Sequence, residues 1–451
     1  ASMDRNPALT PEVIAGARAA LEGDRACAIA RNAVTSAGIA SAARNPQAAA
    51  LATTTFDIQL EQGDITDQKR SGRCWMFASL NTMRFRIMRK LGLKTFELSQ
   101  AYPLFWDKYE RSNWFFENVI ATAGKPLADR EVAYLLTDPL CDGGQWDMFR
   151  SLVKKYGVVP KEAMPETFHS SNTGDLNQHL TRYLRAGAKR LRDAVAAGAD
   201  AGELARIKSG LMDDVYRYLV ICLGEPPASF EVRIRDDANE LKASGTYTPQ
   251  AFFAEFVDMD LDDYISVINA PTSDKPYLRS YTVKFLGNVV EDGGVRYVNL
   301  PIESLKRMAV AQLSDGLPVW FGSDVGQSFL RADGVLDPAA LDIDGLFGMD
   351  IEAGLDKAAR LDYGESLMTH AMTLQGVNLD GDGNPTRWRI ENSWGCDRGK
   401  KGYDIASDAW FSEYVYQVVV DKKYLTAEEL AAYESAPVEL APWDPMGALA
   451  R

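Results

Sequence analysis

The chain has 451 residues with 49 basic and 63 acidic side chains, a formal net charge of −14, and is 46% hydrophobic and 25% charged. That balance belongs to a globular protein with one large or two moderate cores, and it excludes disorder as the default state. The acidic excess repels phosphate backbones at long range, which counts against a nucleic-acid partner and leaves only a local basic patch as a route to one.

The first residues, Ala1 to Pro7, lack the apolar core of a secretion signal. No later stretch approaches the roughly 18 consecutive apolar residues of a membrane span, so a cytoplasmic location with no membrane partner is expected. Five cysteines (Cys27, Cys74, Cys141, Cys222, Cys396) are scattered without a Cys-x-x-Cys pair, unlike a disulfide-stapled secreted domain. Only His169, His179 and His370 supply imidazole, so no His-rich metal cluster is expected.

In chain order, Thr10-Pro11 caps a helix over residues 10–22 that Gly23 stops, and an Ala/Asn-rich connection follows. Met76, Leu80, Met83 and Ile87 repeat at helical spacing over 74–90, with Gly92 as the C-cap. Cys74 therefore opens a helix. Residues 175–224, rich in Ala, Leu, Arg and Asp, break at Gly198 and stop at Gly224, which predicts two helices in a hairpin and an inserted arm. Beyond about residue 280 the apolar runs shorten, and 366–374 and 387–392 read as strands flanking the turn signal Asp380-Gly381-Asp382-Gly383-Asn384-Pro385. In that antiparallel hairpin His370 shares a face with Met368 and Met372, and Asn392 with Trp388 and Ile390.

The stretch Gln68-Lys69-Arg70-Ser71-Gly72-Arg73-Cys74-Trp75 carries the chemistry. Taken alone, a cysteine reads first as a small buried hydrophobe. A cysteine that opens a helix after a glycine-containing loop, however, meets the positive end of the helix dipole, and a nearby imidazolium would further favour its nucleophilic thiolate. Amides at the helix start, with the side-chain amide of Gln68, could hold the oxyanion of a tetrahedral intermediate.

This segment resembles the active-site segment of the papain-like cysteine peptidases. Thr369-His370-Ala371 resembles their histidine strand. Ile390-Glu391-Asn392-Ser393-Trp394-Gly395 resembles their asparagine strand, in which Trp394 would shield the His–Asn contact. Cys141-Asp142-Gly143-Gly144 resembles the loop whose glycine backbone pairs with substrate, with Gly144 ahead of Gly143 as the contact. Two departures narrow the family. Ser71 stands where secreted relatives carry a cysteine bonded to the one before Asp-Gly-Gly, so Cys141 has lost that partner, as suits a reducing compartment. His370 follows Cys74 by 296 residues, against roughly 130 in the lysosomal pattern. These insertions, Gly-Arg-Cys-Trp, and the ending Pro442-Trp443-Asp444-Pro445-Met446-Gly447-Ala448-Leu449-Ala450 are similar to the bleomycin hydrolase and aminopeptidase C family.

The resemblance implies an α+β, papain-like two-lobed core, with a helical lobe and an antiparallel β-barrel lobe. It would comprise an N-terminal helical extension (1–54), a helical lobe (55–165), a mainly helical insertion (166–280), a barrel lobe (281–435) and a tail (436–451) that enters the cleft. It implies a homohexameric aminopeptidase acting on short peptides with a free N-terminus. Cys74 would be nucleophile, His370 base and acid, Asn392 its orienting group and Gln68 an oxyanion donor, with Trp75 and Trp394 supporting. The terminal carboxylate would hold the substrate's ammonium: Arg451 is the candidate for removal, which would leave that carboxylate on Ala450, while an untrimmed Arg451 would reach toward Cys74 as a product-like peptide that lowers activity. Neither metal nor organic cofactor is implied. An endopeptidase, an acyltransferase with the same triad, and a nucleic-acid-binding or scaffold role stay open. Asp380, Asp382, Asn384 and Glu391 fall at calcium-loop spacing, but position 6 is Pro385 and strands flank the loop, so it reads as a solvated turn. His169 and His179 read as solvent-facing.

Overall fold

The computed structural model describes residues 5–50, 54–61 and 63–451. Residues 1–4 of the N-terminal stretch, and 51–53 of the expected extension, lie outside the described residues. Thr10 accepts a hydrogen bond from the Val13 amide and opens the helix Pro11–Leu21. The stretch expected as a connection is instead three helices, Arg25–Ala37, Ile39–Ala43 and Pro46–Ala50. Alanine is the strongest helix former, and Asp24 caps the first of them through the Cys27 amide, which outweighs the scattered asparagines.

The helix Cys74–Leu91 begins on the cysteine and ends at Gly92, whose left-handed φ of 67° an L side chain would strain. Fifteen of its 18 residues are buried, so this is a core helix walled on every side. The arm is the expected hairpin, Gly174–Ala196 and Ala201–Leu223, turning at Gly198. Its apolar stripe (Leu180, Leu184, Leu191, Val215, Leu219) joins the same core as the helix Ala101–Thr122. The two approach so closely that a Cβ on Gly187 would stand 2.8 Å from Phe116 Cε1. The segment 166–280 also holds strands: a hairpin Phe230–Arg235 with Leu241–Tyr247, and Tyr264–Ile268, which pairs into the main sheet.

That sheet has 12 strands among the described residues. Its middle is antiparallel throughout, in the order Tyr264–Ile268, Val415–Asp421, Val319–Ser323, His370–Leu379, Pro385–Glu391 and Tyr403–Ser407. Toward its ends three pairings are parallel: Tyr297–Asn299 on Tyr264–Ile268, Val335–Leu336 on Tyr403–Ser407, and Val438–Leu440 on Arg279–Val283. The two strands around the Asp380 turn form the expected hairpin, with Val377 opposite Trp388 and Thr373 opposite Glu391. Asp380 accepts the amides of Asp382 and Asn384, and Glu391 turns inward to within 3.5 Å of Arg84 Nη2, so the four calcium-spaced residues do not converge. Met368 falls before the strand, against Gly322 in the first core, rather than sharing the face of Met372.

One core lies among the helices and the arm; a second, with Leu374, Trp388, Ile390, Phe321 and Val418, lies on the sheet. No helix among the described residues is long and apolar enough to cross a membrane. Because Leu184 is fully buried where the arm meets the first core, Leu184→Ala should cost about 2–5 kcal/mol in urea unfolding, the range for a core leucine that leaves a cavity.

Candidate active site

Cys74 is the first residue of its helix, preceded by Arg73, which makes no side-chain cap. Its Sγ accepts the Ala371 amide at 3.4 Å, which ties the nucleophile candidate to the strand that starts at His370. His370 Nε2 donates to Asn392 Oδ1 at 2.9 Å, leaving Nδ1 toward the cleft. The Asn392 amide cannot rotate away, since its Nδ2 donates to Asp404 Oδ2 at 3.0 Å and its Oδ1 also accepts the Ser393 amide. Asp404 is in turn gripped by Arg398 through both oxygens, at 2.6 and 2.9 Å. Trp394 lies against the imidazole with ring centroids 4.6 Å apart and planes tilted by 36°.

Gln68 sits on the same wall. Its Oε1 accepts the Ser393 hydroxyl at 2.7 Å, and Nε2 gives one hydrogen to the Ser71 carbonyl at 2.8 Å, leaving its second N–H for another acceptor. Opposite, the loop 141–144 is positioned by Asp142, whose carboxylate takes Lys108 Nζ at 2.6 Å, the Gly72 amide at 2.8 Å, the Thr173 hydroxyl at 2.5 Å and Asn177 Nδ2 at 2.9 Å. Burial alone would raise this carboxyl, but Lys108 and these donors hold it well below the usual range. Trp75 donates to the Asp142 carbonyl at 2.6 Å, and its ring packs so tightly on Gly144 that a Cβ there would come within 2.5 Å of it. Glycine is thus required for the loop to approach.

The C-terminal residues lie in this cleft. Ala450 pairs with Gly144 like a strand, with N···O distances of 2.9 and 3.1 Å, while Gln145 Nε2 donates to the Ala448 carbonyl at 2.7 Å. The Arg451 amide donates to the Thr369 carbonyl at 3.0 Å, and the Arg451 carbonyl lies 3.3 Å from His370 Nδ1. Gly143 faces Leu449, at 2.8 Å from where its Cβ would be.

With the tail seated, Cys74 and His370 are both sealed from water. Burial pushes the Cys74 thiol up to about 12, against the amides of Ala371, Trp75 and Cys74 itself, which favour the thiolate. Burial also lowers the pKa of His370, against Asn392 and the Arg451 carbonyl. Both shifts favour a neutral thiol and imidazole over the ion pair. Removing residues 448–451 removes part of the burial, so the thiol pKa should fall. Alkylation of Cys74 by iodoacetamide at pH 7 should then accelerate by about tenfold for each unit of that fall. Identical pH profiles with and without the tail would show that the tail does not set this burial.

The other sequence candidates stand apart: His179 is exposed, and half-buried His169 contacts the Asn172 carbonyl at 3.3 Å. All five cysteines are unbonded, Cys141 among them. No cluster of His, Cys, Asp or Glu suited to a metal occurs among the described residues. Sequence reasoning missed Asp404 with Arg398 and Lys108 with Asp142. Asp142 stands in the quoted glycine-loop motif and could have been flagged as a carboxylate needing a cation; Asp404, Arg398 and Lys108 carry no local signal.

The Peptidase C1-like family model matches residues 8–447. Aminopeptidase C of Streptococcus thermophilus is 52% identical over 419 residues, 93% of this chain and 94% of that protein. Bleomycin hydrolase of Homo sapiens is 44% identical over 399 residues, 87% and 88% of the two chains. The crystal structure of PepW from Lactobacillus rhamnosis superposes with a TM-score of 0.96 at 49% identity, covering 98% of this chain and all of that one. The motifs, the cleft geometry and these similarities agree: the chain belongs to the Peptidase C1-like family.

Proposed function

We propose that the chain is a cysteine aminopeptidase that releases the N-terminal residue of short peptides through a thioester on Cys74. The reading is carried by the last residues, Ala448 to Arg451, which lie extended in the cleft beside Cys74, His370 and Asn392 as a peptide would, after a 3-10 turn at Pro445–Gly447. The similarity to proteins named aminopeptidase C and bleomycin hydrolase supports it.

In this reading the substrate's carbonyl carbon takes the place of the Arg451 carbonyl carbon. His370 Nδ1 takes the Cys74 proton, the thiolate attacks, and the Cys74 amide with the second Gln68 N–H receives the oxyanion. The imidazolium formed on His370 then protonates the leaving amine. Water activated by the same nitrogen hydrolyses the thioester and restores the thiol. Asn392 holds the Nε2 proton so that Nδ1 stays available. Gly144 would pair with the peptide or tail main chain, Gly143 would flank it, and, once Arg451 is removed, the carboxylate left on Ala450 would hold the substrate's ammonium, a charge-assisted contact that fixes register.

Finer features belong to the same proposal. They are a helical lobe and a β-barrel lobe built on the two cores, with the extension, insertion and tail divided as read from sequence, a cytoplasmic location, and a homohexamer enclosing the sites. Hydrolysis is favoured over transfer to an amine acceptor because nothing beyond water is needed to complete the cycle.

Cys74→Ala should abolish hydrolysis of aminoacyl arylamides with the fold intact, His370→Ala should be nearly as severe, and Asn392→Ala milder. Retained turnover in the cysteine variant would overturn the mechanism. Deleting residues from 447 onward should weaken the demand for a free N-terminus and admit N-blocked peptides; an unchanged demand assigns amine recognition to another group. Light scattering should report roughly 300 kDa, as six chains of 49.7 kDa in a closed ring or barrel require, and a stable monomer would contradict the assembly.

A further inference from the structure

The loop that leads into Cys74 is held by an ion pair to which the chemistry above gives no role. Arg73 is completely buried. Its Nη1 and Nη2 reach Glu166 Oε2 and Oε1 at 3.0 and 2.6 Å, a two-pronged pairing, and Nε donates to Ser71 Oγ at 2.7 Å. Nη2 also donates to the Gln68 carbonyl at 3.3 Å, while the guanidinium stands 5.1 Å from the Phe77 ring centre. Glu166 is itself fixed by the hydroxyls of Ser170 at 3.0 Å and Ser171 at 3.2 Å.

The same segment grips the loop through backbone. The Arg70 amide donates to the Ser171 carbonyl at 3.0 Å, and the Thr173 amide donates to the Arg70 carbonyl at 3.2 Å. Just before Arg70, Lys69 holds a left-handed φ of 55°, a conformation that costs a non-glycine residue energy and persists only when its surroundings impose it. Burying an arginine is itself costly, and an apolar side chain would fill the volume without that cost, so this pair is better explained by orientation than by stability.

We propose that Arg73 and Glu166 are positioning residues for the reaction: their ion pair fixes the Gln68–Gly72 loop so that the second Gln68 N–H faces the carbonyl oxygen under attack. This deepens the aminopeptidase reading and rests on it. The pair takes up the bracing that position 71 would have received from a disulfide in secreted relatives, and it anchors the loop to the segment that opens the helical arm, Gly174–Ala196.

The test is Glu166→Gln, which keeps the shape but removes the charge, measured for kcat and KM on an aminoacyl arylamide and for the rate at which iodoacetamide alkylates Cys74. Alkylation needs no oxyanion donor. The expected result is a kcat lowered by about tenfold or more, with KM and alkylation within about twofold of the parent. In a Gln68→Ala background the same change should cost less than about twofold, since both act through one group. A folded Glu166→Gln with parental kcat, or with a full additional loss on top of Gln68→Ala, overturns the proposal. Should Glu166→Gln not fold, Ser71→Ala removes one contact of the same clamp and carries the same two expectations and the same overturning results. Parent enzyme whose turnover survives complete alkylation of Cys74 would instead overturn the aminopeptidase reading itself, a result none of the Glu166 measurements can mimic.

Discussion

The helix Cys74–Leu91 and the strand His370–Leu379 approach so closely that the Ala371 amide reaches Cys74 Sγ and the Thr373 hydroxyl reaches the Ala78 carbonyl, each at 3.4 Å. On the neighbouring strand Trp320 donates to the Trp75 carbonyl at 3.3 Å. This seam decides what the rest of the molecule must do. A helix start facing a strand start brings the amides of one element and the imidazole of the other to a common point, and both cores serve to keep the two faces in register. A slip of one residue in the His370 strand would turn its side chain to the other face. Pairing of His370 with Ser323 and of Thr373 with Trp320 on one side, and of Thr373 with Glu391 on the other, guards against that slip.

Around the seam, charge is used where hydrophobic packing could not specify direction. Arg398–Asp404 sets the Asn392 amide, and Lys108–Asp142 sets the glycine loop and the Gly72 amide. A buried pair adds little net stability compared with apolar residues of equal volume, because desolvation consumes most of the attraction. What it adds is geometry: a carboxylate with several fixed donors has one orientation, whereas a leucine has several acceptable ones. The low dielectric that makes such pairs costly also makes any misplacement costly, so the loops they anchor are held tightly.

Much of this was legible in the residues, for reasons that differ by element. Thr10-Pro11, Gly92, Gly198 and the Asp380 turn mark element ends because capping and left-handed backbone demand specific side chains. Cys74, His370, Asn392 and Gly144 stand in short motifs that can be read although 296 residues separate Cys74 from His370. The helices Ile39–Ala43 and Pro46–Ala50 were missed because a five-residue helix is too short for periodicity to show while alanine's propensity still acts, and Arg25–Ala37 was passed over although Asp24 stands as its cap. The strand Tyr264–Ile268 was missed because it is buried on both faces and lacks alternation. Asp404 and Lys108 were illegible because their partners lie 12 and 34 residues away, a distance only tertiary structure closes.

In the aminopeptidase reading proposed above, the tail would turn this geometry into selectivity. A segment tethered beside the cleft competes at an effective concentration on the order of millimolar, so a peptide that had to expel all of it would start at a large disadvantage. The contacts, however, divide into two groups. Ala448 on Gln145 and Ala450 on Gly144 anchor the tail outside the reacting position, while only Arg451 fills the space between Thr369 and His370. A peptide whose first residue is the one cleaved needs only the second space, and can leave both Gly144 bonds in place. A peptide with residues ahead of the scissile bond must break those bonds and displace Ala450 as well. Specificity is a difference between two such costs. In that proposal the difference would be the two main-chain hydrogen bonds between Ala450 and Gly144 and the buried alanine, set by their register rather than by any side-chain pocket.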